Sequence, residues 1–307
     1  MDVLLRLLIN VLEEGMIYGI MAMGVFITYS VLHFPDLSVD GTFPLGACVT
    51  AALITYGVHP VLALLIAFAC GCAAGAVTGF LHVRLKISDL LSGILVMTAL
   101  WSVNLGVLSG RAVAPFYNLP TVFNSGLVKL LPTALYPRRV LITLIVITLA
   151  IKLLLDAYNR TQSGLLLRAT GDNAQYVVSQ GVSPGRMKVV GLMLGNGLTA
   201  LSGSVLAQQS ESASVSSGTG IVVMGLASVI IGTSLLRGVK FIRPTTMALV
   251  GCILYKACLV AAMQIGLPTN FMKLLMAVLF VVALVAGNAL DGRRGMNGRR
   301  HGANEAR

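Results

Sequence analysis

The chain has 307 residues, 56% of them hydrophobic and only 11% charged, with a mean hydropathy of +0.88. A soluble domain carries about twice that share of charge, so the composition argues against an ordinary water-soluble enzyme or binding module. The formal net charge is +11, but the basic residues lie in short clusters beside apolar runs, which argues for a lipid bilayer and against a nucleic-acid partner.

Apolar runs long enough to cross about 30 Å of hydrocarbon as helices predict spans at 15–32, 41–57, 60–82, 90–109, 139–157, 187–207, 221–236, 245–263 and 271–289. The fold class is all-α: a polytopic membrane protein of about 8–10 transmembrane helices. Helices satisfy their own backbone in lipid, and the period-2 alternation of a membrane barrel is absent. The whole chain, 1–307, reads as one transmembrane domain.

Met1–Leu12 carries Asp2 and Arg6 and runs into Glu13 and Glu14, not into a small-residue cleavage site, so it does not read as a cleavable signal peptide. It is either an interfacial helix with both glutamates in the headgroups or a half-span.

Next comes Leu32–Val49, LHFPDLSVDGTFPLGACV. Pro35 and Pro44 remove backbone donors and Gly41 permits a non-helical turn, so the chain between them is expected to be unwound. Asp36, Ser38, Asp40 and Thr42 offer oxygens there. Unwound backbone at membrane depth is tolerated only where it is buried in protein or lines a water-filled path, so these four residues are candidates for a substrate path. SVDGT before an apolar run is also an N-cap signal. Asp40 is therefore expected mainly to cap the helix beginning at about 41–44, leaving the electrostatic role to Asp36.

Basic residues recur at Arg84 and Lys86; at Arg160, Arg168, Arg186 and Lys188; at Arg237, Lys240 and Arg243; and at Arg293, Arg294, Arg299, Arg300 and Arg307. Even numbers of spans separate these clusters, so all fall on one side, which the positive-inside rule makes cytoplasmic together with the C-terminus. Arg111, Lys129, Arg138 and Arg139, around the external loop 110–138, are the discord. The polar stretch RATGDNAQYVVSQGV then lies in the cytoplasm and reads as a short helix from Asp172 to Gln180, with Asp172 as N-cap and Gly181 as its stop.

An internal repeat links the two halves. Gly15, Gly19, Ser38 and Val39 match Gly191, Gly195, Ser214 and Val215; after one inserted residue, Gly41 and Thr42 match Gly218 and Thr219. The copies, about 15–109 and 187–289, start an odd number of spans apart and would be inverted in the membrane. Inverted repeats with interrupted helices are a transporter pattern and place the path at the repeat interface, which adds Ser214 and Ser216 to the candidates. Lys256 lies about eleven residues into an apolar span, where a cation costs about 2.5–3.5 kcal/mol. It either receives a substrate carboxylate, pairs with Asp36, Asp40 or Glu211, or snorkels to the headgroups.

No chemistry of the chain's own is expected. Cys48, Cys70, Cys72, Cys252 and Cys258 fall inside apolar spans, and no metal-ligand spacing occurs. His33, His59, His82 and His301 sit at helix ends or in the tail without a nucleophile, and the phosphate-binding GxxxxGK[ST] is absent.

FPDLSVDGTFPLGA and the stretch LLRATGDNAQYVVSQGVSPGRMKVVGLMLGNGLTALSGSVLAQ at 166–208 resemble the membrane subunit of ABC importers of the branched-chain amino-acid permease type, closest to the branch proposed to carry tryptophan or tyrosine. The resemblance implies a multi-pass protein of the bacterial inner membrane, working as two permease copies with two cytoplasmic ATPases and an external solute-binding protein. ATP and magnesium would sit on the ATPase, and the solute would be small and polar, such as an amino acid. It assigns 166–186 as the coupling segment, with Val177 and Val178 as apolar anchors, Arg168 and Gln175 at the rim, and Gly171, Asp172, Asn173, Gln180 and Gly181 shaping it. The alternative is an ion-coupled secondary transporter using Asp36, Asp40 and Lys256, which has no need of that segment.

Overall fold

The computed structural model describes residues 2–125, 138–236, 242–264, 268 and 271–285. Lys129, Arg237, Lys240, positions 286–289 of the last predicted span, and the basic tail 290–307 lie outside the described residues.

The helices in chain order are α1 (Asp2–Val25), α2 (Val39–Thr55), α3 (Pro60–Val83), α4 (Asp89–Val107), α5 (Arg139–Tyr158), α6 (Gln162–Asp172), α7 (Ala174–Ser179), α8 (Pro184–Ser210), α9 (Ile221–Leu236), α10 (Pro244–Gln264) and α11 (Met272–Val285). Among the described residues seven segments are long and apolar enough to cross a membrane, and α2 and α11 are shorter apolar helices. Within the described residues each of the nine predicted spans contains a helix. The first is longer than expected: α1 is continuous from Asp2, and the apolar span runs Leu5–Val31, so Glu13 and Glu14 lie within it, not on a separate surface helix.

Local signals set the helix starts. Pro60, Pro184 and Pro244 occupy first-turn positions, where a missing N–H costs nothing. The His59 ring accepts the Val61 amide at the start of α3, and the Thr161 hydroxyl accepts the Gly164 amide in the first turn of α6. α8 runs through the middle of the bundle. Gly71, Gly75 and Gly79 of α3 lie along it, and a Cβ at Gly75 would strike the Leu192 carbonyl. This small-residue stripe therefore serves packing within the chain. α8 also carries buried polar groups: Ser202 donates to the Ile17 carbonyl at 2.6 Å, Ser204 bonds Thr50, and the Gln208 amide bridges Pro60 and Val122. The outward faces of α3, α4 and α5 expose Leu62, Leu65, Leu95 and Leu154, as lipid contact requires.

Two short strands, β1 (Val113–Pro115) and β2 (Ser212–Ser214), pair antiparallel with Ala114 opposite Ala213. They tie the loop after α4 to the end of α8, where Glu211 takes a left-handed turn (φ 51) and its carboxylate accepts from Asn124. A 3-10 turn, Val215–Gly218, leads from β2 toward α9.

Candidate functional site

At Val25 α1 widens into a π-helical turn, Phe26–Val31, and helical order ends at Leu32. π-Turns inside helices concentrate at functional positions. His33 adopts a left-handed conformation (φ 54), and the Phe34 amide donates back to the Thr28 carbonyl at 2.8 Å. The unwound stretch is Leu32–Ser38, earlier than the Pro35–Pro44 interval expected. α2 starts at Val39, so Asp40, Thr42 and Pro44 are helical. Pro44 is accommodated because the carbonyl it leaves without a helical donor, that of Asp40, packs on Gly218 of the second half. A Cβ at Gly218 would land on that oxygen.

The break is held by a buried polar cluster. Asp36 is 4% exposed. Its Oδ1 accepts from the Ser38 amide at 2.8 Å and the Ser38 hydroxyl at 2.6 Å, and its Oδ2 accepts from the Asn196 amide at 2.6 Å. Asn196 Oδ1 in turn accepts from Thr42 at 2.8 Å. No cation joins the cluster among the described residues, so Asp36 is held by hydrogen bonds and not by Lys256, one of the alternatives that the sequence leaves open. Charged acceptors make the stronger hydrogen bonds, and this set pins the break to the middle of α8. Asn196, an amide within an apolar run, was the overlooked member. Its position alone marked it, since polar side chains inside spans face protein or a path.

Asp40 does act as a cap, but of a different helix. Its Oδ2 accepts from the Gly220 amide at 3.1 Å and its Oδ1 from the Val222 amide at 2.8 Å, both at the start of α9. Ala213 and Val215, which precede α9, share a core with Ala47, Cys48, Ala51 and Ile54 of α2. The N-termini of α2 and α9 therefore lie side by side, joined through the Asp40 carboxylate. Asp40→Ala is expected to cost about 0.5–2 kcal/mol, and Asp40→Asn, which keeps one acceptor, to recover about half. Thermal unfolding of the detergent-purified protein checks the order; an Asn variant as damaged as Ala would mean that the charge, not the cap, matters.

Lys256 contacts none of Asp36, Asp40 or Glu211 and does not snorkel. It is 5% exposed, its Nζ lies 2.9 Å from Glu14 Oε2, and it sits 3.9 Å over the Tyr18 ring. Tyr18 stacks on Phe43 with centroids 5.8 Å apart. Glu14 is not among the partners that the sequence offers for Lys256, because the position of Met1–Glu14 in the membrane is left open there. Ser214 and Ser216 bond each other at 3.0 Å beside the strand pair and do not join the Asp36 cluster. A second ionic knot, also unforeseen, ties α5 to α10: Asp156 accepts from Lys152 at 3.1 Å, Arg243 at 2.8 Å and Thr245.

The predicted coupling segment is two helices, α6 and α7. Asn173, not Asp172, caps α7, its Oδ1 accepting from Gln175 at 3.1 Å and Tyr176 at 3.2 Å; Asp172 closes α6. Gly181 stops the segment at φ +74. Arg168, Gln175 and Gln180 are exposed. Of the two valines only Val178 is exposed, at 61%; Val177 is fully buried and packs within the chain, while Tyr176 is 54% exposed. The inner face of α6 touches the break. Leu167 joins Leu32 and Leu192 in one core, and Gly171 lies so close to the Val31 carbonyl that a Cβ would overlap it.

A bundle of apolar spans broken by a buried polar cluster, with the helix α6 packed on that break, suits a permease. The chain belongs to the branched-chain amino acid transport system permease component family, whose model matches residues 7–284. It is 41% identical over 281 residues to the tyrosine transport system permease protein of Clostridioides difficile (strain R20291), covering 92% of this chain and 91% of that one. It is 24% identical to the ribose import permease protein RbsC of Escherichia coli (strain K12), over 92% of this chain and 85% of RbsC. It is 28% identical to the inner membrane ABC transporter permease protein YjfF of the same strain, over 76% of this chain and 69% of YjfF. No solved structure matches it significantly. The chain is an ABC-type permease.

Proposed function

We propose that this chain is the membrane pore of an ATP-driven amino-acid importer of the bacterial inner membrane, with its C-terminus in the cytoplasm. It works as a homodimer with two cytoplasmic ATPases, which hold ATP and magnesium, and an external solute-binding protein. The chain itself performs no hydrolysis. An aromatic amino acid is the favoured cargo because the relative 41% identical over nearly the whole chain is named for tyrosine transport. The two halves act as inverted repeats, 15–109 and 187–289, and the break between them, with Asp36, Ser38, Asp40 and Thr42, borders the path. Ser214 and Ser216 line its outer approach. Lys256 serves as a structural ion-pair partner.

The observation that carries this reading is the packing of α6 on the break. An ATPase docking on α7 pushes through α6, and Gly171 on the Val31 carbonyl and Leu167 on Leu32 pass that displacement to the π-turn and the Asp36 cluster. An ion-coupled transporter has no use for such a lever. Val178→Asp places a charge in the docking contact and is expected to weaken ATPase copurification at least about tenfold while leaving the fold intact. Val177→Asp is expected to disrupt the segment itself, because Val177 is fully buried. Normal copurification and ATP-driven uptake by Val178→Asp in reconstituted vesicles would move the docking site elsewhere.

A further inference from the structure

A cavity of about 310 Å3 opens where α2, α4 and the 3-10 turn before α9 meet. Its size lies at the small end of ligand pockets. Asp40, Thr98, Trp101, Asn104 and Thr219 supply its distinctive chemistry. Asn104 is fully buried, and its Nδ2 donates to the Gly41 carbonyl at 3.1 Å. That carbonyl can only accept, which fixes the amide's orientation. Asn104 Oδ1 has no hydrogen-bond partner, although an unpaired buried acceptor costs about 1–3 kcal/mol.

The other polar groups are also left as acceptors. Thr98 donates its hydroxyl proton to the Ile94 carbonyl at 2.8 Å, and Thr219 donates to the Ser216 carbonyl at 3.0 Å. The Asp40 carboxylate offers only oxygens, and beyond the bonds it accepts from Gly220 and Val222 each keeps a further lone pair. Among the described residues no cation lines the cavity. The indole of Trp101, 52% exposed, completes it. Trp101 lies six residues inside the end of α4 at Val107, roughly 9 Å along the helix. Convergent acceptors beside a π-face suit a positively charged group with several N–H donors.

We propose that this cavity is a binding site for a primary ammonium, with Asn104, Thr98 and Asp40 accepting its hydrogens and Trp101 covering it. Resting on the importer reading above, the inference makes this the subsite that receives the α-ammonium of the amino-acid cargo. The cargo's carboxylate has no partner here and stays toward the opening.

Trp101 is the chain's single tryptophan, so its fluorescence reports occupancy directly. The full-length permease in lipid nanodiscs is titrated with tyramine, L-tyrosine and 3-(4-hydroxyphenyl)propionate, with excitation where only tryptophan absorbs. Saturable quenching is expected from the two amines and not from the deaminated acid. Half-saturation should weaken about tenfold or more in Asn104→Leu. Thr98→Val, on an exposed position that does not threaten the fold, should weaken it in the same direction. Absence of saturable quenching, or equal quenching by amine and acid, overturns the proposal, as does unchanged half-saturation in both variants. ATP-driven uptake into vesicles with the partner subunits separates the two readings. Uptake without amine-specific quenching removes the site and keeps the importer; amine-specific quenching without ATP-driven uptake keeps the site and removes the importer.

Discussion

Asn196→Leu is expected to destabilise the permease by about 3–5 kcal/mol, enough to lose most of the folded protein on extraction into mild detergent. The substitution keeps the branching of the side chain at a larger volume but removes the amide donated to Asp36 at 2.6 Å and the oxygen that accepts from Thr42. It strands a carboxylate that is 4% exposed beside an apolar branch. Asn196→Asp should be equally damaging, since it sets a second carboxylate against the first. The exchanged pair Asp36→Asn with Asn196→Asp restores one charge and one amide in contact, so a double-mutant cycle should show coupling of about 1–3 kcal/mol. Additive losses would mean that the two residues stabilise the break independently. Thermal melts followed by size-exclusion chromatography supply the measurement.

Glu14→Leu should cost about 2–3 kcal/mol, less than the 3–5 kcal/mol of a fully buried pair, because Glu14 retains 36% side-chain exposure while Lys256 has 7%. The loss comes from Lys256, left charged over Tyr18 with no carboxylate to meet it. Adding Lys256→Met removes that stranded charge, and the double variant is expected to return to within about 1 kcal/mol of the parent, since buried ion pairs exchange for apolar groups at little net cost. Melting temperatures of the single and double variants decide it. A double variant no more stable than Glu14→Leu would mean that Glu14 contributes through contacts other than Lys256.

The amino-acid sequence by itself determined the class and the placement of the spans. Lipid imposes a length and an apolarity on every crossing helix, and both are local properties. The nine spans, the break near Pro35 and the polar segment with its stop at Gly181 were legible for that reason. Partnership was not. Asp40 sits in a normal N-cap context for α2, yet its carboxylate serves α9, because α9 begins beside it with two amides that need an acceptor. Lys256 has three acids in plausible reach by sequence, yet it finds Glu14, because α1 is one uninterrupted helix packed on α10. Val177 and Val178 are indistinguishable as neighbours in a string, and only the rotation of α7 against the rest of the chain buries one and exposes the other. Asn196 became the centre of the site only when α8 was laid along the break. Side-chain type and spacing state what a residue is able to do in a membrane; which group it does it with depends on helix packing across more than a hundred residues of separation, where no local pattern carries the information.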